Sequence, residues 1–246
     1  LAISDTACDA GLAAMAHARA SGVLVSFDTN LRLRLWPLAR ARAVMQEAMR
    51  TCDLCLPSWD DVTVLLDCHD RDGIVDTLLG WGVKLVALKM GAEGCYVATP
   101  DARTLVPRHT VNAIDATGAG DCFGGAFVAR IVAGDSPVEA ARYANVAAAI
   151  STTGYSAVAP IPRVEVVRAV LVAMGFACAS DGVREAVACA IWNIVFEFDA
   201  GQRVMASEVV RGVLVAMGTV CATDAVRKAV ASGKIGRASC RERVSS

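Results

Sequence analysis

The sequence predicts an α/β fold, a mainly parallel sheet with helices on both faces, followed by an all-α tail. Three observations lead there. Short apolar runs alternate with helical patterns over about 160 residues, the arrangement of parallel strands joined by crossover helices. One hairpin, 95–99 turned by Pro100-Asp101 into 104–107, adds antiparallel strands near one edge. Near the C-terminus, the segment 165–175 recurs 43 residues later, the mark of a helical repeat.

The first helix spans 5–20, with Leu12, Met15 and Ala16 on one face and Gly22 as its stop. Val23-Leu24-Val25-Ser26-Phe27 reads as a buried strand. It ends in the polar stretch Asp28-Thr29-Asn30-Leu31-Arg32, and ligands of α/β sheets bind at such strand ends. Pro37, suited to a first helical position, opens a helix that runs to about Arg50. A strand over 52–56 leads into Pro57-Ser58-Trp59-Asp60-Asp61, where a third helix starts, and a fourth covers 72–81. The strand 84–89 passes through Gly91-Ala92-Glu93-Gly94 into the hairpin. Ser136-Pro137-Val138-Glu139 is a capping box with proline at the first helical position, opening 138–151.

Composition narrows the function classes. A net charge of −1 gives no footprint for a nucleic-acid partner. The chain is 55% hydrophobic, yet no apolar run is long enough to span a membrane, and no leader pattern opens the sequence. Ten scattered cysteines read as reduced thiols of a cytoplasmic protein rather than a disulfide framework. Cys52-Asp53-Leu54-Cys55 is formally C-x-x-C, but it falls in the 52–56 strand with no second Cys/His pair at ligand spacing. His17, His69 and His109 have no partners at catalytic spacing and read as surface or satisfied residues.

The chemistry concentrates in Asp115-Ala116-Thr117-Gly118-Ala119-Gly120-Asp121, which runs into a helix with Phe123, Phe127 and Ile131 one turn apart. The first amides of a helix lack internal partners and sit at the positive end of its dipole. Glycines let an anion approach that backbone, as a phosphate cradle requires. A carboxylate there would repel phosphate unless it serves as a base. Asp121 is therefore the candidate to take the proton of a hydroxyl that attacks the phosphate.

The whole string resembles the C-terminal signature of the PfkB, or ribokinase-like, family of carbohydrate kinases, with Ala116 where the pattern has Ser or Thr. Asp28-Thr29-Asn30-Leu31-Arg32-Leu33-Arg34-Leu35-Trp36 is similar to a motif of 2-keto-3-deoxygluconate kinases and fructokinases. The resemblance implies the C-terminal part of a three-layer α/β/α sandwich, with ATP and Mg2+ as cofactors. Asp121 becomes the base, helped by the amides of Gly118, Ala119 and Gly120. Asn30 and Arg32 line the cleft near phosphate and substrate, where a guanidinium suits a phosphate or carboxylate. Ser58 and Asp61 stand where the family has a Mg2+-holding pair, and both offer oxygen. Lys89, Gly91, Gly94 and Thr117 lie beside ATP; Asn145 either approaches the adenine or is a helix-surface amide.

The resemblance favours 2-keto-3-deoxygluconate as substrate, then fructose. A nucleoside substrate of the same family comes third, because Arg32 with Leu35-Trp36 points to the sugar branch. The intact enzyme is expected as a homodimer. The family's first strands, Gly-Gly sugar segment and β-lid have no counterpart, so the chain reads as a partial domain over 1–171 lacking full activity. The segment 172–233, its repeat starting near 165, is of armadillo/HEAT length and would offer a protein-binding surface. Residues 234–246 resemble translated sequencing adapter and are excluded from the fold. A helical-repeat interaction protein carrying a non-functional kinase fragment is the alternative to a sugar kinase.

Overall fold

A computed structural model describes residues 1–175. The repeat over 172–233 and the segment 234–246 lie outside the described residues, apart from the first turn or so of the former. The chain divides into two units, Leu1–Ile161 and Pro162–Ser246. Of the second, the described part is one helix, α7 (Val164–Ala173), with Val167, Ala169, Val170 and Val172 buried.

The first unit holds a five-stranded sheet in the order β1 (Ser26–Phe27), β2 (Leu54–Cys55), β3 (Leu85–Lys89), β4 (Cys95–Ala98) and β5 (Arg103–Val106). The first three strands are parallel and the last two antiparallel, as expected. The helices are α1 (Asp5–Ala20), α2 (Leu38–Thr51), α3 (Trp59–Leu66), α4 (Arg71–Gly80), α5 (Ala119–Val132) and α6 (Pro137–Ser151).

Period-two alternation in the strands produces the three layers. On β3, Val86 and Leu88 join a core with Met45 and Met49 of α2, Val62 and Leu65 of α3, and Ile74 and Leu78 of α4. Leu85 and Ala87 face the other way, into a core with Phe123 and Phe127 of α5 and Ala140 and Ala144 of α6. β4 divides likewise, Tyr96 and Ala98 to the first core and Cys95 and Val97 to the second. Both faces are buried, which is why these strands read as continuous apolar runs. Phe127 is fully buried and its ring lies 5.8 Å from that of Phe123. Phe127→Ala should cost about 3–5 kcal/mol, by lost transfer energy and a cavity beneath the sheet. Chemical denaturation checks it.

Helix ends follow their capping signals. Ser4, Ser58, Asp70 and Ser136 each accept an amide of the first turn through the side chain, and Ser136 with Glu139 completes the capping box.

Four expectations are corrected. The first strand is only Ser26–Phe27; Val23 and Leu24 are 57% and 60% exposed, because they precede the paired segment and touch neither core. Cys52 is the C-cap of α2, outside β2, so strand alternation does not separate it from Cys55. Both thiols lie in one core, where hydrogen bonding to Cys52 and burial push the Cys55 thiol up. Pro37 is the N-cap of α2 rather than its first helical residue. On α1, Cys8 is the buried residue, while Ala16 is exposed.

Candidate active site

The three parallel strands end on the same side, and their exits form a cleft of about 390 Å³. β1 delivers Asp28, Asn30 and Arg32; the β2 exit delivers Ser58 and Asp61; the β3 exit delivers Lys89, Gly91 and Glu93. The last two exits are held together by the Lys89 amide, which donates to the Pro57 carbonyl at 2.8 Å.

Helix α5 brings its N-terminus to this cleft. Gly118 is the N-cap, at φ 77°, and no side chain caps the helix. A Cβ on Gly118 would lie 2.8 Å from Ala157 Cβ, so both conformation and space require glycine. Gly120 lines the cleft, and a Cβ on it would be 3.7 Å from Lys89 Nζ. Asp121 follows, exposed, and close enough to Asp28 for their charges to interact. The turn before the helix is fixed by Asp115, whose carboxylate accepts the amides of Thr117 at 2.9 Å and Ser156 at 3.0 Å. The Thr117 side chain, first, and then these two amides hold Asp115 below its ordinary carboxylate value.

Lys89 and Asp28 form an ion pair at 2.5 Å in the floor of the cleft, with side chains 14% and 21% exposed. Burial raises the Asp28 carboxyl against the opposing pull of Lys89, and the charges of Asp121 and Asp61 raise it further. Removing Lys89 would leave that carboxylate unpaired. A raised carboxyl contributes stability fully present below its unfolded value, near 3.8, and lost as pH rises through the folded value. Lys89→Met should therefore destabilise the fold by about 2 kcal/mol at neutral pH, the cost of a largely buried group left without its partner. At pH near 3 it should cost little, because Asp28 is then protonated. Denaturation curves at the two pH values measure the difference.

Asp61 Oδ2 accepts two hydrogen bonds at 3.0 Å, from the Thr29 hydroxyl and the Leu31 amide. Ser58 Oγ accepts the Asp61 amide at 3.3 Å. Asn30 adopts φ 41°, and its side-chain oxygen accepts Arg32 Nη2 at 2.9 Å. Arg32 Nη1 also donates to the Leu31 carbonyl, at 3.2 Å.

Asn30, Arg32, Ser58, Asp61, Lys89, Gly91 and Gly120 thus share one cleft, with Asp121 adjoining it. Three sequence expectations are corrected. The Ala119 amide does not point free; it closes a turn onto the Ala116 carbonyl at 3.1 Å, which leaves the amides of Gly118, Gly120 and Asp121 for an anion. Gly94 is a packing glycine, at φ 107°, where a Cβ would lie 2.2 Å from the Val106 carbonyl oxygen. Asn145 is buried, not a surface amide, and its Nδ2 donates to the Val106 and Pro107 carbonyls at 3.0 and 3.1 Å, tying α6 to the end of β5. Thr117 is exposed on the turn, its amide bound to Asp115.

Residues 2–164 match the family described as pfkB family carbohydrate kinase. The chain belongs to this family. Among its pfkB relatives, fructokinase-2 of Oryza sativa subsp. japonica is 34% identical over 174 residues, covering 67% of this chain and 52% of that protein. Fructokinase-2 of Zea mays is 34% identical over 172 residues, covering 66% and 51%. A protein described as ribokinase II from E. coli, solved with ATP and Mg2+, matches with a TM-score of 0.64 and 28% identity, over 68% of this chain and 54% of that one. The fructokinase of Vibrio cholerae O395, solved with fructose, ADP and calcium, matches with 0.64 and 27%, over 68% and 56%. The chain spans about half the length of the curated relatives it matches.

Sequence reasoning gave no role to Asp28. The signal available was a carboxylate at the end of an apolar strand, but its partner stands 61 residues away on β3. Glu93 and Asp60 also line the cleft and were not singled out.

Proposed function

We propose that this pfkB chain carries the phosphoryl-transfer half of an ATP-dependent sugar kinase, acting on a hydroxyl of fructose, with 2-keto-3-deoxygluconate as the second substrate to test. The observation that carries the reading is the α5 N-terminus, bare of any side-chain cap, opening on the cleft with Asp121 exposed in its first turn. The free amides of Gly118, Gly120 and Asp121 would hold a transferring phosphoryl group in the positive end of the helix dipole. Asp121 would take the hydroxyl proton. Lys89 and Arg32 supply positive charge around the phosphates. The fructokinase names of the relatives support fructose ahead of the sugar acid.

The cleft also fits a hard divalent ion. Asp28, Asp60, Asp61 and Glu93 outnumber Arg32 and Lys89 among its lining residues, so a bare polyphosphate would meet net negative charge. The donors are oxygens, and among the described residues no cluster of three or more His, Cys, Asp or Glu could hold a metal alone. That suits Mg2+, which keeps waters and takes its remaining ligands from phosphates. Ser58 would hold it together with waters and phosphate oxygens, and bound there it would neutralise phosphate charge. Asp61, expected as its second protein ligand, engages Thr29 and Leu31 through Oδ2.

The test is ADP release from ATP–Mg2+ by a full-length kinase carrying this sequence, with fructose, 2-keto-3-deoxygluconate, ribose and a nucleoside as acceptors. Turnover with fructose at the highest kcat/KM supports the reading. Turnover confined to the nucleoside, or none at all, defeats it.

A further inference from the structure

Asp61 sits at the third position of α3, its amide bound by Ser58, where a metal ligand was expected. Its carboxylate instead reaches across to the β1 exit, where a single oxygen, Oδ2, accepts both the Thr29 hydroxyl and the Leu31 amide at 3.0 Å. Thr29 is 1% exposed, so its hydroxyl has little access to water as an alternative partner. Between these two anchored residues, Asn30 is held at φ 41°, a left-handed conformation that asparagine tolerates better than most residues. Held there, its side-chain oxygen accepts Arg32 Nη2 at 2.9 Å, while the Leu31 carbonyl accepts Nη1 at 3.2 Å. These contacts join Asp61, through Thr29 and Leu31, to Asn30 and so to the Arg32 guanidinium, which lines the cleft.

From this chain of contacts we propose that Asp61 is a positioning residue: it clamps the Thr29–Leu31 turn and thereby aims Arg32 into the cleft. Arg32 is the group that meets the ligand, and Asp61 acts through it. The shorter aspartate suits this role, since its reach is taken up by the two bonds to the turn. The kinetic part rests on the kinase reading above; the structural part does not.

Two measurements separate these. In the isotopically labelled chain, Asp61→Ala should shift the backbone amides of Asn30, Leu31 and Arg32 in NMR spectra. Asp61→Asn, which keeps an acceptor oxygen, should leave them near the wild-type positions, and Thr29→Val should give a partial change. Unmoved amides in Asp61→Ala overturn the clamp whether or not the protein is a kinase. Asp61→Asn amides displaced as far as those of Asp61→Ala also overturn it. In the full-length kinase, with ATP–Mg2+ and fructose as probes, Asp61→Ala should lower kcat/KM about tenfold, the effect of one lost charged hydrogen-bond partner. Asp61→Asn should restore most of it, and Asp61→Ala should cost little further when added to Arg32→Ala. Additive losses, or an Asp61→Asn defect as large as that of Asp61→Ala and relieved by raised Mg2+, would make Asp61 a metal ligand instead. If the wild type transfers no phosphoryl group, the kinase reading falls while the NMR comparison still decides the clamp.

Discussion

Asp121→Asn should remove about 10²–10⁴-fold of phosphoryl transfer, the usual contribution of a positioned base, and leave ATP–Mg2+ binding nearly unchanged. Asp121 is exposed in the first turn of α5, so its replacement opens no cavity in either core. Asparagine keeps the shape, and its oxygen remains compatible with a helix N-terminus, so folding should be unaffected. What it lacks is the capacity to accept a proton. The amides of Gly118 and Gly120 remain, and with them the attraction for phosphate. The measurement is kcat in a full-length kinase carrying this sequence, paired with a calorimetric ATP titration. Unaltered kcat would end the base assignment. A parallel loss of binding and rate would mean that Asp121 serves the nucleotide rather than the hydroxyl.

Gly94→Ala should be the most damaging small substitution in the sheet. Gly94 adopts φ 107° and ψ −132°, a region open essentially to glycine. A Cβ there would meet three backbone atoms of the strand exit: the Val106 oxygen at 2.2 Å, the Arg108 nitrogen at 2.6 Å and the Pro107 carbonyl carbon at 2.8 Å. Backbone cannot rotate aside as a flexible side chain can. Strain and overpacking together should cost about 3 kcal/mol or more, lowering Tm by about 6–12 °C in a domain of this size. Gly91→Ala is the control. A Cβ there has nothing within 4 Å, although φ is 52°, so the loss should be near 1 kcal/mol. Equal losses at the two positions would show that conformation alone, and not the close approach, sets the requirement.

The two glycines also show what the sequence could convey. Both stand in Lys89-Met90-Gly91-Ala92-Glu93-Gly94 and read alike as nucleotide neighbours, yet one lines the cleft and the other packs against β5. The difference lies in a contact with residues 106–108, which no local pattern encodes. Helix starts were legible because capping is local: Ser58, Ser136 and Glu139 satisfy amides three residues away. The layering was legible because alternate strand residues must face opposite cores. Strand lengths were not, since an apolar run such as Val23-Leu24-Val25 looks the same paired or unpaired.

At the site, the bare helix end with an acidic residue in its first turn was readable from Gly118-Ala119-Gly120-Asp121 and the apolar period that follows. The Asp28–Lys89 pair and the bonds of Asp61 to Thr29 and Leu31 were not, because each joins elements brought together only by the parallel crossover. Ala119 failed for a smaller reason: three consecutive amides look equivalent in sequence, but the turn into α5 engages one of them.

Phosphoryl transfer by this chain would require the α5 N-terminus to be a phosphate site beside a working carboxylate. An amide NMR titration of the chain with ATP–Mg2+ tests it most directly. The largest shifts should fall on Gly118, Gly120 and Asp121, with smaller ones at Lys89 and along 30–32. Saturable binding that leaves those α5 amides in place while moving others, or no binding at all, would contradict it.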